Sequence, residues 1–333
     1  MILSALAVMV AAKKPPFERT GTIVTLLGEI MRLVGRYEGL MLPSPQPKLR
    51  RQNRIKTIAA TTAIEGNTLS LDQVTAVFDG KRVVGPEKDI LEVQNTIEAY
   101  SSALKFKQDN VSSFLKAHKI LLQKLLPDAG KFRKGSVGIL KGKKVVHTAP
   151  PADRVRFLVE NLFRWSKAEK AEHPLLVASV VHYELAFIHP FMDGNGRTAR
   201  LWQHIMNTSY APVFEFAKME SMIRENQKDY YKSLSASDQL GASTPFIEFS
   251  LQVLHDSTKQ LLADLHAPRA TGAERLAHAQ SVMGKKYFSR KEYMSIHKQL
   301  SSAQASRDLR DGANEKILTK KGAASQTQYA FKS

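Results

Sequence analysis

The feature that most limits the fold is a spacing of three or four residues between apolar side chains, which recurs along most of the chain. Over residues 22–40, six apolar side chains share one helical face: Ile23, Leu26, Leu27, Ile30, Leu33 and Val34. This spacing is typical of an amphipathic α-helix that packs against a core. Helical patterns also occur at residues 152–166 and 174–187. The sequence therefore predicts a mostly α-helical protein.

One stretch, from about residue 136 to 147, has the opposite character. Val137 and Ile139 alternate there with small residues, and β-branched residues return at Val145 and Val146. Alternation on both sides of a turn is the pattern of a β-hairpin. We therefore expect one small hairpin within the helical protein.

Changes in composition divide the chain into five segments. The first is apolar, but its positive charges follow the apolar run, which favours an N-terminal extension over a signal peptide. Prolines and glycines among small residues indicate a linker before the last segment. The predicted segments are the extension 1–19, a helical region 20–110, a core with the hairpin 111–265, a linker 266–284 and a C-terminal domain 285–333.

The composition excludes several classes of protein. The chain has no cysteine, which rules out disulfides, a thiolate nucleophile and a cysteine-type zinc site, and which fits the cytoplasm. No run approaches the ~20 apolar residues of a membrane span. The net charge of +18 would attract polyanions such as nucleic acid, but solvating lysines alone would also produce it.

The stretch HPFMDGNGRTAR, residues 189–200, carries the chemistry. Gly194, Asn195 and Gly196 lie where the chain enters a helix, and backbone amides at a helix start attract phosphate. Arg197 and Arg200 are three residues apart, so they share a face and can add charge-assisted contacts. The stretch therefore predicts a site for several phosphates in a row.

Two further residues of this stretch supply reactivity. Asp193 is a hard oxygen ligand beside the phosphate site, and Mg²⁺ is usually held by one or two carboxylates together with substrate phosphates. His189 is the natural general base for a hydroxyl nucleophile. Taken alone, a His-Pro pair or a Gly-Asn-Gly stretch more often belongs to a turn. A pair of arginines more often lies on a solvent-exposed helix face. Their combination favours an enzyme of phosphoryl or nucleotidyl transfer.

The stretch resembles the signature of the Fic family, His-x-Phe-x-Asp/Glu-Gly-Asn-Gly-Arg-x-x-Arg. Every fixed position matches: His189, Phe191, Asp193, Gly194, Asn195, Gly196, Arg197 and Arg200. The resemblance covers about residues 20–265. It implies a Fic-type helical core and transfer of AMP from ATP to a Ser, Thr or Tyr hydroxyl of an unidentified target protein. Auto-AMPylation and a homodimer also follow from the family.

The resemblance also implies a role for each residue of the motif. His189 would deprotonate the target hydroxyl, and Asp193 would hold Mg²⁺. The Gly-Asn-Gly loop and Arg197 would bind the phosphates of ATP, and Arg200 would reach the γ-phosphate. The hairpin resembles a flap that aligns the target segment by strand pairing, although a hairpin that merely covers the core remains an alternative.

A second short motif, TTAIEGN, lies upstream in a predicted helix of about residues 50–66. Thr61, Glu65 and Gly66 match the inhibitory motif of the Fic family, Ser/Thr-x-x-x-Glu-Gly/Asn. A carboxylate delivered to Arg200 would take that arginine away from the γ-phosphate. The resemblance therefore implies autoinhibition within one chain. The same site, with Glu65 orienting a water, could instead remove AMP from a modified protein.

The C-terminal domain supports a competing hypothesis, in which the protein belongs to another functional class. Residues 285–333 contain eleven Lys or Arg and four Asp or Glu. Two helices and two strands there resemble a winged helix-turn-helix, with Arg307 and Arg310 on the recognition helix. This favours a DNA-binding regulator whose Fic part senses nucleotide. Winged helices also dock proteins, and Asp308 and Asp311 are expected to interrupt the basic face.

Overall fold

The fold was analysed in a computed structural model, which divides the chain into two compact units, Met1–Leu265 and His266–Ser333. The N-terminal residues 1–12 lie outside the described part of the chain, and so does most of the predicted extension. The side chains of the hairpin are not described. The described residues are 13–40, 47–141, 144–266, 271–297, 300–322 and 327–332.

The first unit is mostly helical, as predicted. Among its described residues, five α-helices precede the hairpin: α1 (Gly21–Gly39), α2 (Pro47–Ile64), α3 (Leu71–Phe78), α4 (Glu87–Ser101) and α5 (Val111–Leu122). The hairpin consists of β1 (Gly138–Lys141) and β2 (Lys144–Thr148). Six α-helices follow it within residues 149–266: α6 (Ala152–Ala168), α7 (Pro174–Ile188), α8 (Asn195–Tyr210), α9 (Met219–Glu225), α10 (Gln227–Leu240) and α11 (Thr244–His266).

Helix α1 buries the face that its sequence predicts. Ile23, Leu26, Ile30, Leu33 and Val34 are buried, and Leu27 packs beside them half-buried. Thr20 caps the helix, since its side chain accepts a hydrogen bond from the Ile23 amide at 3.2 Å. The predicted periodicity of this helix is confirmed.

The core of the first unit is centred on α7 and α8. Helix α7 is apolar on nearly all sides, which is the pattern of a fully enclosed helix. Trp202 of α8 is fully buried, stacks on Phe163 at 5.6 Å and meets the edge of Phe114 at 5.2 Å. The loop 189–194 joins these two helices, so the core holds both ends of that loop.

The strands β1 and β2 pair antiparallel, with Gly138 opposite Thr148 and Lys141 opposite Lys144. The predicted hairpin at about 136–147 is therefore present, shifted by one or two residues. Its turn residues, 142 and 143, lie outside the described part of the chain.

The described part of the second unit forms three helices and one small sheet. Its elements are α12 (Gly272–Met283), β3 (Phe288–Ser289), α13 (Arg290–Ile296), α14 (Ser302–Asn314), β4 (Leu318–Lys321) and β5 (Gln328–Phe331). The strands form an antiparallel sheet in the order β3-β5-β4. The two expected helices and two expected strands are present, together with α12 and β3. The winged helix-turn-helix itself stays a prediction.

The structure differs from the predicted linker, residues 266–284. Most of that stretch forms α12, whose Leu276 and Ala279 are buried in the core of the second unit. Thr271 and Glu274 form a capping box at its start. Of the small residues that favoured a linker, Ala273 and Ala277 are exposed on this helix, so its packing depends on Leu276 and Ala279.

Asp308 does not lie on the basic face of α14, in contrast to the prediction. Its side chain is 2% exposed and accepts two hydrogen bonds from Arg275, both at 2.6 Å. Ala305, Asp308 and Leu309 lie on the buried side of the helix because they are three and four residues apart. Only Asp311 of the two acids is exposed, next to Arg310.

Among the described helices, none is both long and apolar enough to cross a lipid bilayer.

Candidate active site

His189 ends α7 in a left-handed backbone conformation, with φ 50° and ψ 61°. A residue with a side chain takes up this conformation only when its surroundings hold it there. Arg133 holds it in two ways. Its side-chain Nε donates to the His189 carbonyl at 2.7 Å, and its amide donates to the Pro190 carbonyl at 2.9 Å. These two bonds fix the backbone where the loop begins.

The His189 ring is half-buried, and its Nδ1 lies 3.3 Å from the Ala186 carbonyl. A proton on Nδ1 donated to this carbonyl places the lone pair of the neutral ring on Nε2. That tautomer is the one that can accept a proton from a hydroxyl group.

The side chain of Asn195 bonds within the loop itself. Its side-chain Oδ1 accepts from the Phe191 amide at 2.9 Å, and its Nδ2 donates to the Phe191 carbonyl at 2.8 Å. The buried amide group therefore closes the loop and does not face a ligand. What Asn195 can offer to a phosphate is its backbone N–H, at the first turn of α8.

His118 of α5 is a site residue that the sequence analysis missed. Its ring stacks on Phe191 at 3.6 Å, and its Nδ1 accepts from the Gly130 amide at 2.8 Å. The proton is therefore on Nε2, which donates to the Asp193 carbonyl at 3.0 Å. Burial lowers the pKa of His118 to about 4, so the ring is neutral. A single histidine on an amphipathic helix carries no signal in the sequence for this role.

Asp193 lies on the rim of the site with 58% of its side chain exposed. Its Oδ1 accepts from the Gly194 amide at 2.6 Å and from Arg197 Nη2 at 3.2 Å. Within the described ranges, no group of three or more His, Cys, Asp or Glu could hold a metal ion. An exposed carboxylate beside phosphate-binding groups still fits Mg²⁺, because phosphates and water complete its coordination.

The start of α8 offers a concave set of backbone donors. The amides of Asn195, Gly196 and Arg197 have no acceptor within the helix, and Gly194 caps it without a side chain. A Cβ on Gly196 would lie 2.6 Å from Oε1 of Glu65, so only glycine lets that carboxylate come so close. Amides and helix dipole together favour an anion here.

Arg200, buried to 2% exposure, is held by the predicted inhibitory residues. Its Nη2 lies 2.7 Å from Oε1 of Glu65 and 3.1 Å from the Thr61 carbonyl, and its Nε donates to Oγ1 of Thr61 at 3.0 Å. Burial by itself lowers the pKa of Arg200, but the charge and hydrogen bond of Glu65, together with Tyr230 and Tyr100, raise the pKa overall. The structure therefore brings Arg200 into contact with Thr61 and Glu65, which precede it in the chain by 139 and 135 residues.

Glu65 reaches Arg200 because α2 ends just before it. The helix stops at Ile64, and Gly66 takes a φ of +94°, the left-handed conformation common after helix ends. Gln227 of α10 donates to the Ile64 carbonyl at 3.0 Å, which holds this end of α2 in place. The predicted helix at about 50–66 thus begins three residues earlier, at Pro47.

Arg197 is also held by a carboxylate, which the sequence analysis missed. Its Nη1 donates to Oε1 of Glu92, a buried residue of α4. Its Nη2 points to Asp193 at 3.2 Å. The two arginines of the motif therefore each face a glutamate from the N-terminal helical region.

A buried polar network lies behind Arg200. Tyr100 donates to Oε1 of Glu220 at 2.9 Å, and burial raises the pKa of Glu220 to about 6. On α10 the Tyr230 hydroxyl lies 3.1 Å from Nε2 of His182. These groups keep Arg200 rigid, because a side chain enclosed by hydrogen-bonded polar partners has few alternative positions.

We expect Gly194→Ala to destabilise the fold by about 1–3 kcal/mol. The new Cβ would lie 2.5 Å from Cδ2 of Leu122, and φ at this position is +78°. Gly135→Ala is the matched control, since a Cβ there meets nothing within 4 Å. Chemical denaturation of both variants measures the difference. Equal stability of the two variants would contradict the close approach of this turn to α5.

Comparison with known proteins agrees with this picture of a helical protein built around a loop and a helix start suited to phosphate. The family model described as "Fic/DOC family" matches residues 109–206. A Fic family protein from Desulfovibrio desulfuricans G20 is 35% identical, with a TM-score of 0.74 over 96% of this chain and 98% of that one. The chain belongs to the Fic family. The predicted Fic-type helical core is confirmed.

Two relatives carry the name of an activity. Protein adenylyltransferase Fic of Nematostella vectensis is 30% identical over 220 residues, which is 62% of this chain and 48% of that protein. Protein adenylyltransferase fic-1 of Caenorhabditis briggsae is 31% identical over 217 residues, 61% of this chain and 40% of that protein. The chain thus spans less than half the length of these relatives.

Proposed function

We propose that this protein transfers AMP from ATP to a hydroxyl side chain of a target protein. The observation that carries the proposal is the loop between α7 and α8. It places a histidine, an exposed carboxylate and the open amides of a helix start within a few residues of one another. The names of the relatives support the same activity. ATP is the substrate that supplies AMP.

In the proposed reaction the target hydroxyl oxygen attacks the α-phosphorus of ATP. A new phosphorus–oxygen bond forms, the bond from the α-phosphorus to the bridging oxygen breaks, and pyrophosphate leaves. His189 Nε2 takes the hydroxyl proton. The amides at the start of α8, with Arg197, hold the phosphates. Asp193 would hold Mg²⁺, which neutralises charge on the phosphates when it is bound.

Autoinhibition is part of this proposal. Arg200 is enclosed by Thr61 and Glu65, so it cannot reach a γ-phosphate without first leaving the carboxylate. Breaking a buried ion pair by removing one partner is unfavourable. ATP then binds without the contact that orients its α-phosphate, and transfer is slow.

The proposal is tested with ATP labelled at the α-phosphate or at the γ-phosphate, with Mg²⁺ and a cell lysate as the source of targets. We expect protein to carry the α-label only, most clearly in the Glu65→Gly variant. Label on the protein itself would reveal auto-AMPylation. Transfer of the γ-label would indicate phosphorylation, and label from neither position would overturn the proposal.

AMP removal is the alternative within the same site, because Glu65 could orient a water toward an AMP-modified hydroxyl. The two directions respond oppositely to Glu65→Gly. Loss of Glu65 speeds addition but abolishes removal. Release of AMP from a previously modified target by the wild-type protein, lost in Glu65→Gly, would favour removal.

Binding of DNA by the second unit is a second candidate function, favoured by the position of Asp308. With that acid turned inward, Arg307 and Arg310 are exposed on one face of α14, and Lys320 and Lys321 are exposed on β4. Such a face can neutralise phosphates of a duplex. The alternative for the same face is docking of an acidic protein.

We expect the double variant Arg307→Ala/Arg310→Ala to weaken binding to mixed-sequence duplex DNA and to reduce the salt slope of log Kd by about two, one per phosphate contact. Binding is measured by fluorescence anisotropy between low and physiological salt. Arg32→Ala/Arg36→Ala removes two exposed arginines from α1 and is the control. No measurable DNA binding, or equal slopes in both variants, would leave protein docking as the function of this face.

A further inference from the structure

Glu92 joins two parts of the site that the motifs treat separately. It lies on α4, outside both motifs, and its side chain is almost fully buried. Its Oε1 accepts from Nη1 of Arg197, and its Oε2 accepts from Nδ2 of Asn67 at 2.8 Å. One carboxylate thus contacts an arginine of the phosphate site and the turn that follows Glu65.

We expect the ion pair between Glu92 and Arg197 to stay intact when a nucleotide binds. A buried carboxylate without a partner is strongly unfavourable, so Glu92 keeps Arg197 beside it. The second terminal nitrogen of the guanidinium, Nη2, points to the rim at Asp193, where phosphates would lie. Glu92 therefore orients Arg197 without competing for that nitrogen. Glu65 differs, because it contacts the Nη2 of Arg200 directly.

Asn67 is fixed by several groups besides Glu92. Its Nδ2 also donates to the Asp89 carbonyl at 3.0 Å, and its Oδ1 accepts from the Leu69 amide at 3.1 Å. Its own amide donates to the Thr62 carbonyl at 3.2 Å, closing the turn around Glu65. The turn is thus anchored to α4 even when the contact between Glu65 and Arg200 is absent.

We propose that Glu92 is a positioning residue for phosphate binding, and that through Asn67 it also holds the inhibitory turn in place. Glu92 orients Arg197 toward the phosphates of ATP, and Asn67 keeps Glu65 opposite Arg200. The proposal rests on the proposed function, because the nucleotide and the inhibition are both taken from it. Glu92 is thereby assigned to nucleotide affinity and Asn67 to inhibition. Neither residue belongs to the Fic signature.

The first test measures ATP affinity by calorimetry in the full-length Glu65→Gly protein. Adding Glu92→Gln, which keeps the size of the side chain but removes its charge, is expected to weaken ATP binding about tenfold, as for a lost charge-assisted hydrogen bond. Glu98→Gln, an exposed glutamate on the same helix, is the control and leaves affinity unchanged. Unchanged affinity in Glu92→Gln overturns the positioning role.

A double-mutant cycle separates positioning from a general structural defect. Arg197→Gln alone weakens ATP binding, and adding Glu92→Gln to it is expected to have no further effect, because Glu92 acts through Arg197. Additive losses in the cycle would mean that Glu92 acts on the fold instead. Loss of ATP binding by Glu65→Gly itself would overturn the inference and the proposed function together. ATP binding without AMP transfer would overturn the proposed function alone.

The second test concerns the inhibitory turn and leaves both members of the buried ion pair, Glu92 and Arg197, in the chain. Asn67→Ala in the chain that retains Glu65 is expected to raise AMP transfer several-fold, since the turn can then swing Glu65 away from Arg200. In the Glu65→Gly background the same substitution is expected to give no gain. A gain in both backgrounds, or in neither, would overturn the role of Asn67 and leave the first test to decide Glu92.

Discussion

Glu65→Gly is expected to raise the rate of AMP transfer by about 5- to 150-fold, the range of a coupling free energy of about 1–3 kcal/mol. The substitution removes the carboxylate that lies 2.7 Å from Nη2 of Arg200. The buried guanidinium then needs a new anionic partner, and the γ-phosphate of ATP can supply it. The rate is measured as incorporation of the α-label into protein with time.

Two comparisons make this result specific. Glu65→Gln keeps the length of the side chain but removes its charge, so we expect a smaller gain than with glycine. Glu315→Gly changes another exposed glutamate that directly follows a helix, in the second unit, and is expected to leave the rate unchanged. If Glu65→Gly transfers AMP no faster than the wild-type protein, the contact with Arg200 is structural and not inhibitory.

His189→Ala in the Glu65→Gly background is expected to lower the rate of transfer by about 10²- to 10⁴-fold, the usual contribution of a general base. ATP affinity should stay close to that of Glu65→Gly, because the phosphate contacts come from the start of α8 and from the arginines. The measurements are label incorporation for the rate and calorimetry for affinity. A fall in the rate together with retained affinity would show that His189 acts in the chemical step.

His278→Ala, which removes an exposed histidine of the second unit, is the control for His189→Ala. Persistent transfer in His189→Ala would require another base. The nearest candidate by position is His118, but its Nδ1 accepts from Gly130 and its Nε2 contacts the Asp193 carbonyl. Burial also lowers its pKa to about 4, which makes it a weak proton acceptor. Full retention of activity would therefore overturn the role of His189.

Local patterns in the sequence were sufficient to predict several of the elements and the residues of the loop. The apolar spacing in α1 predicts both the helix and its buried face, because a helix repeats every 3.6 residues regardless of its neighbours. The motif at residues 189–200 predicts the loop and its residue types, because they are consecutive in the chain.

Other predictions failed because the sequence does not show which helices become neighbours. The small residues before residue 285 favoured a linker. Most of this stretch instead forms α12, because Leu276 is buried in the core of the second unit. Asp308 was expected on the surface, but Arg275 lies close enough in the fold to pair with it. The role of the Asn195 side chain, which closes the loop on Phe191, has no local pattern in the sequence either.

The sequence by itself therefore determined the helical class, the residues of the loop between α7 and α8, and the glutamate that we propose to be inhibitory. Only the tertiary structure decided which partner each charged or polar side chain of the site contacts. Arg197 and Glu92 are 105 residues apart in the chain, and His118 and Asp193 are 75 apart. Neither pair has a local pattern, because a hydrogen bond depends on distance and direction in space, which the packing of α4, α5 and α8 sets. These contacts determine how the loop and the start of α8 are held and oriented.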